Sequence, residues 1–366
     1  MKIAYHITAH GYGHGVRSCD ILRALFETDP GVEVTAVTGL PEAFVRNRLP
    51  GVGAGLRFHD ARFDLGMVQL DSVRVDVPET LIRVRALLDR AEDLTTAHAR
   101  WLEQGGYDLV VSDIPAMPIE AAARAGLPSI GVSNFSWSWI YEGLAGLDPA
   151  WNDISAAFAR SYAKTSLLLR LPFSDAMTEF PRRRDVGLLA RPGRRDRDHL
   201  AALTGADPGK RWALLSFSTL DWDAAALREV AALRDVEFFT ILPLHWDAPN
   251  IHPVDREAFA VPDLFASVDL VVTKPGYGVL SECVANDLPI VHVDRDHFRE
   301  TPVLQRAIAR HLRHAFLPPE DLYAGRIGSY IETALSCPPP PEPVPRGGDL
   351  ECARVMLAAR GGAGIP

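Results

Sequence analysis

Residues 7–18, ITAHGYGHGVRS, and residues 271–282, VVTKPGYGVLSE, share one pattern: an apolar strand, a Gly-Tyr-Gly turn and the start of a helix. A strand that passes through a glycine turn into a helix is typical of a Rossmann-like βα unit. Because the pattern occurs once in each half of the 366-residue chain, we predict two similar α/β domains with parallel sheets. Ligands of such sheets bind beyond the carboxyl ends of the strands, where both turns lie.

The predicted strands and helices alternate on both sides of one interruption. Prolines and arginines crowd residues 172–188, and the alternation then starts again. We therefore predict four segments: a first domain over 1–172, a linker over 173–188, a second domain over 189–336, and a proline-rich spacer with a terminal helix over 337–366. Within the first domain, the apolar stripe from about Pro78 to Glu103 predicts one long helix.

Composition and charge narrow the classes of function. The formal net charge of −9 disfavours a general nucleic-acid binder, which needs a basic face. The four cysteines have no paired spacing, which fits reduced thiols without a zinc site. The N-terminus lacks the apolar region of a signal peptide, and Pro128 and Asn134 interrupt the uncharged window 125–141. We therefore predict a cytoplasmic protein without a transmembrane segment.

The first turn does not match the common nucleotide-binding fingerprints. Its spacing is G-x-G-x-G, and Val16 stands where the dinucleotide motif has its third glycine. The second predicted strand ends in Thr38-Gly39 rather than in the acid that holds a ribose hydroxyl. No Gly-Lys-Ser/Thr follows either turn, so a Walker loop is also disfavoured.

The titratable groups near the first turn indicate acid–base chemistry. His14 would stand where Gly11 and Gly13 let a ligand approach, and an imidazole can take a proton from a hydroxyl near neutral pH. His14 could instead cap or pack its turn, and for His10 a structural role in orienting the turn is the simpler interpretation. Asp113 ends a predicted strand and would either orient His14 or cap the turn that follows.

The second turn suits a diphosphate, because it brings helix amides and the helix dipole to the ligand. Gly276 and Gly278 would allow close approach, and Ser281 and Glu282 are expected in the first turn of the helix. Glu282 could accept both hydroxyls of a ribose, or it could face solvent as a favourable acid near the helix start. Lys274 could offset phosphate charge or simply end the strand.

Residues 134–141, NFSWSWIY, place four aromatic side chains at a period of two. Such a group usually packs in a core or between domains, but it could also form a wall for an acceptor sugar. Trp137 is the member that we place beside the acceptor.

These segments together resemble GT-B glycosyltransferases. Residues 261–296 resemble the donor-nucleotide signature of the family 28 type. The likeness extends to the N-terminal glycosyltransferase-like part of L-arabinokinases, through residues 6–18, 108–141 and 274–304 in the same order. The resemblance implies an α/β fold of GT-B architecture, in which two Rossmann-like domains face one another across a cleft.

The resemblance also implies roles for particular residues. Those expected to contact the nucleotide are Gly276, Gly278, Ser281 and Glu282. Those expected near the donor sugar are Asp296, Phe298 and Glu300. In the first domain the resemblance places His14 in the acceptor-side glycine loop. We place His10, Gly11, Gly13, Arg17 and Trp137 on the same acceptor side.

The predicted function is transfer of a sugar from a nucleotide-diphosphate sugar, UDP-linked, to a hydroxyl acceptor. His14, assisted by Asp113, would deprotonate the acceptor. Ser218 and Thr219, together with the helix that begins near Gly278, would stabilise the leaving diphosphate without a metal or another cofactor. Inversion at the anomeric carbon is expected from the family type, and sugar kinase activity is not expected.

Two alternatives remain open at this point. A nucleotide-sugar 2-epimerase would use the same fold for another reaction. A non-catalytic sugar-nucleotide-binding module is the other alternative, because residues 216–219, SFST, lack the glycines that many family members have at this loop. Without glycine, the backbone cannot approach a phosphate as closely.

Overall fold

The computed structural model describes residues 1–70, 74–294, 298–340 and 342–359. Over this described part, the chain divides into two compact units. The first unit combines Met1–Val68, Asp76–Leu189 and Pro345–Pro366, and the second combines Gln69–Val75 and Ala190–Val344. No helix within the described ranges is long and apolar enough to span a bilayer.

A parallel sheet forms the centre of the first unit. Its strands, as far as the structure describes the chain, are β1 (Lys2–Ile7), β2 (Glu33–Val37), β3 (Leu56–His59), β4 (Leu109–Asp113), β5 (Ser129–Ser133), β6 (Leu167–Arg170) and β7 (Arg183–Asp185). They lie in the order β3-β2-β1-β4-β5-β6-β7. The inner strands are almost continuously buried, as expected where helices cover both faces of a parallel sheet.

The helices of the first unit connect these strands or follow the second unit. They are α1 (Tyr12–Thr28), α2 (Glu42–Arg48), α3 (Val77–Leu88), α4 (Ala91–Gly105), α5 (Met117–Arg124), α6 (Trp137–Glu142), α7 (Ala150–Tyr162) and α15 (Gly348–Ala358). The strand order reverses between β1 and β4. The carboxyl ends of these two strands therefore border the switch point at which open α/β sheets bind ligands.

The boundary between the units differs from the predicted linker. Residues 183–185 form β7, which pairs in parallel with β6, so the first sheet continues into the segment expected to be a linker. The terminal helix α15 also belongs to the first unit. Its Cys352 and Met356 lie in the same buried cluster as Cys19 and Leu22 of α1.

The long helix expected from about Pro78 to Glu103 is two helices in the structure, and this prediction was wrong. The carboxylate of Asp76 caps the start of α3, which ends at Leu88, and α4 begins at Ala91. The two helices cover different neighbours, since α3 packs against α7 and α4 packs against α5. Each helix has its own apolar face, and the two faces happen to continue the same period along the sequence.

The second unit is built on another parallel sheet. Its described strands are β8 (Arg211–Ser216), β9 (Val236–Ile241), β10 (Ile251–Val254), β11 (Leu270–Thr273), β12 (Ile290–His292) and β13 (His314–Phe316), in the order β10-β9-β8-β11-β12-β13. Its helices are α8 (Arg197–Thr204), α9 (Ala224–Ala231), α10 (Val261–Ser267), α11 (Tyr277–Ala285), α12 (Thr301–His311), α13 (Pro319–Tyr323) and α14 (Gly328–Ser336). Here the strand order reverses between β8 and β11.

Candidate functional site

The two Gly-Tyr-Gly turns have nearly the same backbone. Gly11 precedes α1 with φ −164° and ψ 143°, and Gly276 precedes α11 with φ −160° and ψ 146°. This is extended backbone that any residue can adopt, so conformation does not require the glycines. A Cβ atom on Gly11, Gly13 or Gly276 would meet no atom of the described structure within 4 Å. The glycines therefore leave open space in front of the first amides of each helix.

The carboxylate of Asp113 contacts several polar side chains at the start of α1. It is the last residue of β4 and is fully buried. Its carboxylate lies 2.9 Å from His14 Nδ1, and it accepts hydrogen bonds from Arg17 Nε at 2.9 Å and Ser18 Oγ at 2.8 Å. The neighbouring carboxyl ends of β1 and β4 thus bring His14 and Asp113 together, as an orienting role for Asp113 requires.

Electrostatics determine the protonation state of this pair. Burial alone would raise the pKa of Asp113, but Arg17 and His14 outweigh burial and hold that pKa well below its usual range. An ionised carboxylate can only accept hydrogen bonds, so its contact of 2.9 Å suits a proton on His14 Nδ1. Arg17 Nη2, which can only donate, also lies 2.9 Å from Nδ1 and suits a lone pair there. In the tautomer that the Asp113 contact favours, neutral His14 carries its lone pair on Nε2 and can take a proton there.

Arg17 keeps His14 neutral. Burial lowers the pKa of His14 most, the Arg17 guanidinium lowers it further, and Asp113 offsets part of both effects. Arg17 Nη1 also donates to Asn134 Oδ1 at 2.6 Å, just beyond the end of β5. One guanidinium therefore links α1 to the ends of two further strands and biases the imidazole toward its basic, uncharged form.

The residue after Asp113 has a strained backbone. Ile114 has a φ of 76°, in the left-handed region that β-branched residues avoid. Tyr162 OH, from the end of α7, donates a hydrogen bond of 2.6 Å to the Ile114 carbonyl. Strain of this kind persists only where the surroundings enforce it, so Tyr162 helps to hold the turn that carries Asp113. Tyr162 was not predicted from the sequence, because a buried tyrosine on a helix gives no signal of this role.

A second polar chain lies beside His14. Thr8 Oγ1 donates to Asp64 Oδ1 at 2.9 Å and lies 2.7 Å from His10 Nδ1. Trp137 Nε1 donates to the other carboxylate oxygen of Asp64 at 3.0 Å. The His10 and His14 rings are 4.6 Å apart between centroids. Burial raises the pKa of Asp64 to about 6, against the hydrogen bonds from Trp137 and Thr8, so the carboxylate is mostly ionised at pH 7.

Trp137 itself is not a wall open to a ligand. It is the first residue of α6 and is 3% exposed. Its ring stacks on Tyr141, four residues later, and Tyr141 stacks on Trp151. The period of two among these aromatic residues therefore belongs to a helix rather than to a strand. Trp137 reaches the first glycine turn through its hydrogen bond to Asp64 and its ring contact with His10.

The predicted donor residues lie along one edge of the second sheet. Ser218 and Thr219 follow β8 and are exposed, whereas Lys274 follows β11 and is half-buried. Thr273 Oγ1 donates to the Ser216 carbonyl at 2.8 Å and ties the ends of these two strands together. The switch point of the second sheet thus carries both loops that were predicted to hold the diphosphate.

Five further predicted donor residues lie on or near helix starts. Because α11 begins at Tyr277, Ser281 and Glu282 lie in its second turn, not in its first turn as expected. Both are half-buried, and Gly278 is exposed. Phe298 and Glu300 precede α12 and are half-buried, with Glu300 at its N-cap. Asp296 lies outside the described residues.

Solved structures with the same arrangement are glycosyltransferases. The calicheamicin glycosyltransferase CalG4 superposes with a TM-score of 0.60 at 18% identity, over 98% of this chain and 93% of that one. Arabidopsis thaliana UGT89C1 complexed with quercetin gives 0.61 at 14% identity, over 100% and 96%. A UGT from Siraitia grosvenorii in complex with UDP gives 0.58 at 14% identity, over 98% and 93%. The chain has the GT-B glycosyltransferase fold.

The sequence comparison gives a particular relative. The chain is 30% identical over 367 aligned residues to L-arabinokinase from Arabidopsis thaliana. The match covers 96% of this chain but 34% of that protein, so the chain spans about a third of its length. No protein-family model matches the chain.

Proposed function

We propose that the protein is a glycosyltransferase that moves a sugar from a UDP-linked donor to a hydroxyl acceptor. One observation carries the proposal: a neutral imidazole, His14, is oriented by the buried Asp113 at an open helix start, on the switch point of a parallel sheet. A base with a protonated Nδ1 and a free Nε2 lone pair is equipped to deprotonate a hydroxyl near neutral pH.

The reaction is a single displacement. The acceptor hydroxyl gives its proton to His14 Nε2, and its oxygen forms a bond to the anomeric carbon. The bond from that carbon to the diphosphate oxygen breaks at the same time, and the electron pair leaves with UDP. Attack from the face opposite the leaving group inverts the anomeric centre.

The second unit would hold the donor. The first amides of α11, left open by Gly276, and the cation of Lys274 stabilise the charge that develops on the diphosphate. Glu282 accepts hydrogen bonds from the ribose hydroxyls. We propose that these groups bind and activate UDP without a divalent metal. A neighbour of the same fold was solved with UDP, which favours UDP over other nucleotides as the first probe.

Thermal unfolding with UDP, GDP, dTDP and ADP, each with magnesium or with chelator, tests the donor site. A ligand at a hundred times its dissociation constant adds about 2.7 kcal/mol. UDP is expected to stabilise the protein equally in both conditions, and Glu282→Gln is expected to remove the shift. Dependence on magnesium would overturn the metal-free proposal, and no response to any nucleotide would overturn the donor site.

Turnover tests the base. UDP release is measured from a panel of UDP-sugars with hydroxyl acceptors, in the wild type, His14→Ala and the control His311→Ala at the end of α12. His14→Ala is expected to keep the UDP-induced shift and to lose at least a hundredfold in kcat, a typical contribution of a general base. Equal turnover in His14→Ala would remove His14 from the mechanism. UDP binding without turnover in any mixture would favour the non-catalytic module.

A further inference from the structure

A small cavity opens beside His10 in the first unit. It has a volume of about 110 Å³, which is room for a few water molecules or for one edge of a small ligand. The carboxylate of Asp64 and the His10 ring line it together with apolar side chains such as Phe63 and Val37. Arg62 lies at the same cavity and is exposed.

The hydrogen bonds around Thr8 fix the tautomer of His10. A threonine hydroxyl has one proton, and Thr8 gives that proton to the Asp64 carboxylate. The contact of 2.7 Å with His10 Nδ1 must then be donated by His10. Neutral His10 therefore carries its lone pair on Nε2, as His14 does in the tautomer that its contact with Asp113 favours.

The two imidazoles form a pair of hydrogen-bond acceptors side by side. Their ring centroids are 4.6 Å apart, and their Nδ1 atoms contact separate groups, Thr8 for His10 and Asp113 for His14. Two neighbouring acceptors are matched by a ligand with two neighbouring hydroxyl donors. An aromatic acceptor with one hydroxyl would cover His10 Nε2 without giving it a donor, which costs free energy.

We propose that His10, held by Thr8 and Asp64, binds a second hydroxyl of the acceptor, and that the acceptor is a sugar or another polyol with two neighbouring hydroxyls. One of these hydroxyls lies on His14 and reacts, and the other lies on His10 and orients the ring. This inference rests on the proposed function for the first hydroxyl. It goes beyond that function in naming the acceptor class and the residues that select it.

Gly66 keeps the His10 ring in place. A Cβ atom at residue 66 would lie 2.6 Å from His10 Cβ and 2.7 Å from its Cγ, a distance at which something must shift. Gly66→Ala therefore displaces the ring without removing a polar group. Thr8→Val instead removes the hydroxyl that fixes the tautomer and keeps the shape of the side chain.

Saturation-transfer NMR on the full chain without nucleotide tests the site. The probes are D-glucose, D-galactose and D-mannose, which together offer cis and trans pairs of neighbouring hydroxyls, and phenol as the probe with one hydroxyl. The sugars are expected to bind the wild type and the control Thr28→Val, whose hydroxyl bonds within the last turn of α1. Binding is expected to weaken at least tenfold in Thr8→Val and in Gly66→Ala, with thermal unfolding as the check on folding.

Each result has a distinct meaning. Equal sugar binding by the wild type and both variants, no binding of any sugar, or binding of phenol in place of the sugars would overturn the proposed subsite. Sugar binding that depends on Thr8 would support the subsite even if no UDP-sugar is turned over. Turnover on phenolic acceptors that ignores the Thr8 and Gly66 substitutions would leave the transferase intact and remove the polyol subsite.

Discussion

His14 Nδ1 and Asp113 Oδ1 lie 2.9 Å apart, although α1 and β4 carry them 99 positions apart in the chain. The contact exists because β1 and β4 are adjacent, so the helix that follows one strand begins beside the end of the other. Arg17 Nε donates a hydrogen bond to the same carboxylate, and the charge of Arg17 opposes the effect of Asp113 on the pKa of His14. Burial lowers the pKa of His14 most, and the buried cation of Arg17 and the buried anion of Asp113 then act on that pKa in opposite directions.

Removing the cation is expected to shift that balance. In Arg17→Met, the pKa of His14 should rise, because the charge that disfavours imidazolium is gone while Asp113 remains. In Asp113→Asn, it should fall, since Asp113 is the group that raises it. Titration of ¹⁵N-histidine signals by NMR gives both values. Shifts of the same sign in the two variants would contradict the assignment.

The same substitution is expected to cost stability. Arg17 and Asp113 are 12% and 1% exposed at their side chains, so Arg17→Met leaves a buried charge with less compensation, at a cost of about 3 kcal/mol. The matched control is Arg46→Met, whose ion pair with Glu42 is largely exposed and is worth under about 1 kcal/mol. Urea unfolding at pH 7 measures both losses, and equal losses would argue against a buried pair.

Replacing a glycine that leaves space for a ligand should have a different effect from replacing a glycine that the backbone conformation requires. Gly276→Ala adds a methyl group in open space on extended backbone, so stability should change by less than about 1 kcal/mol while UDP binding weakens at least tenfold. Gly205 is the contrasting control, because its φ of 77° is left-handed. Gly205→Ala should cost about 1 kcal/mol and leave UDP binding unchanged. Calorimetry for binding and urea unfolding for stability separate the two effects.

Acid should weaken the first unit through a buried histidine pair. His6 Nε2 and His98 Nε2 are 2.7 Å apart, and burial lowers the pKa of His6 to about 4 and that of His98 to about 2. Below about pH 6.5 the unfolded chain takes up these protons and the folded chain does not, so the free energy of unfolding falls by about 1.4 kcal/mol per pH unit for each histidine. Above about pH 6.5 both histidines are neutral in the folded and unfolded chain, so the pair does not make the free energy of unfolding depend on pH.

The variant His98→Gln tests this pH dependence. Its amide can donate to His6 Nε2 but does not titrate, so the loss of stability between pH 6.5 and 4.5 should be smaller than in the wild type. The control is His199→Gln at an exposed position, which should keep the wild-type pH slope. Unchanged slopes in both variants would exclude the pair as the acid-sensitive element.

The terminal helix should stabilise the first unit. Met356 is fully buried on α15, so Met356→Ala is expected to cost about 2–5 kcal/mol, whereas Leu350→Ala on the same helix is 37% exposed and should cost far less. Hydrogen exchange followed by mass spectrometry locates the effect. Faster exchange is expected in α1 and β1, and faster exchange confined to the second sheet would contradict the packing of α15.

Local pattern was sufficient for much of the fold. The alternation of apolar strands and helical stripes identified both parallel sheets, and each Gly-Tyr-Gly turn marked a strand end at a switch point. The sequence pattern failed to predict elements whose bounds are determined by tertiary packing. The break between α3 and α4 depends on which neighbours each half covers, and β7 is an exposed three-residue strand without an apolar signal. The return of α15 to α1 is a long-range contact that composition cannot encode.

The candidate site was predictable only in part. His14 and Asp113 follow predicted strands, so the topology brings them together. Asp64 lies in a segment without helix or strand, and its link to His10 through Thr8 depends on how that segment folds back over the sheet. The left-handed backbone of Ile114 is equally invisible, because nothing about isoleucine suggests it.

Gly11 and Gly276 have matching backbone conformations, although the side chains beside the two helix starts differ in polarity. Each unit has an equivalent partial positive charge at a helix start, but the side chains next to the two helix starts differ. In the first unit Asp113 and Arg17 form an ion pair beside His14, whereas in the second unit Lys274 follows β11 just before the turn. The proposed anion site of the second unit therefore differs from the first helix start in its flanking side chains rather than in its backbone. Exchanging those side chains between the two units, with both loops unchanged, would be the direct way to move the proposed anion site from one helix start to the other.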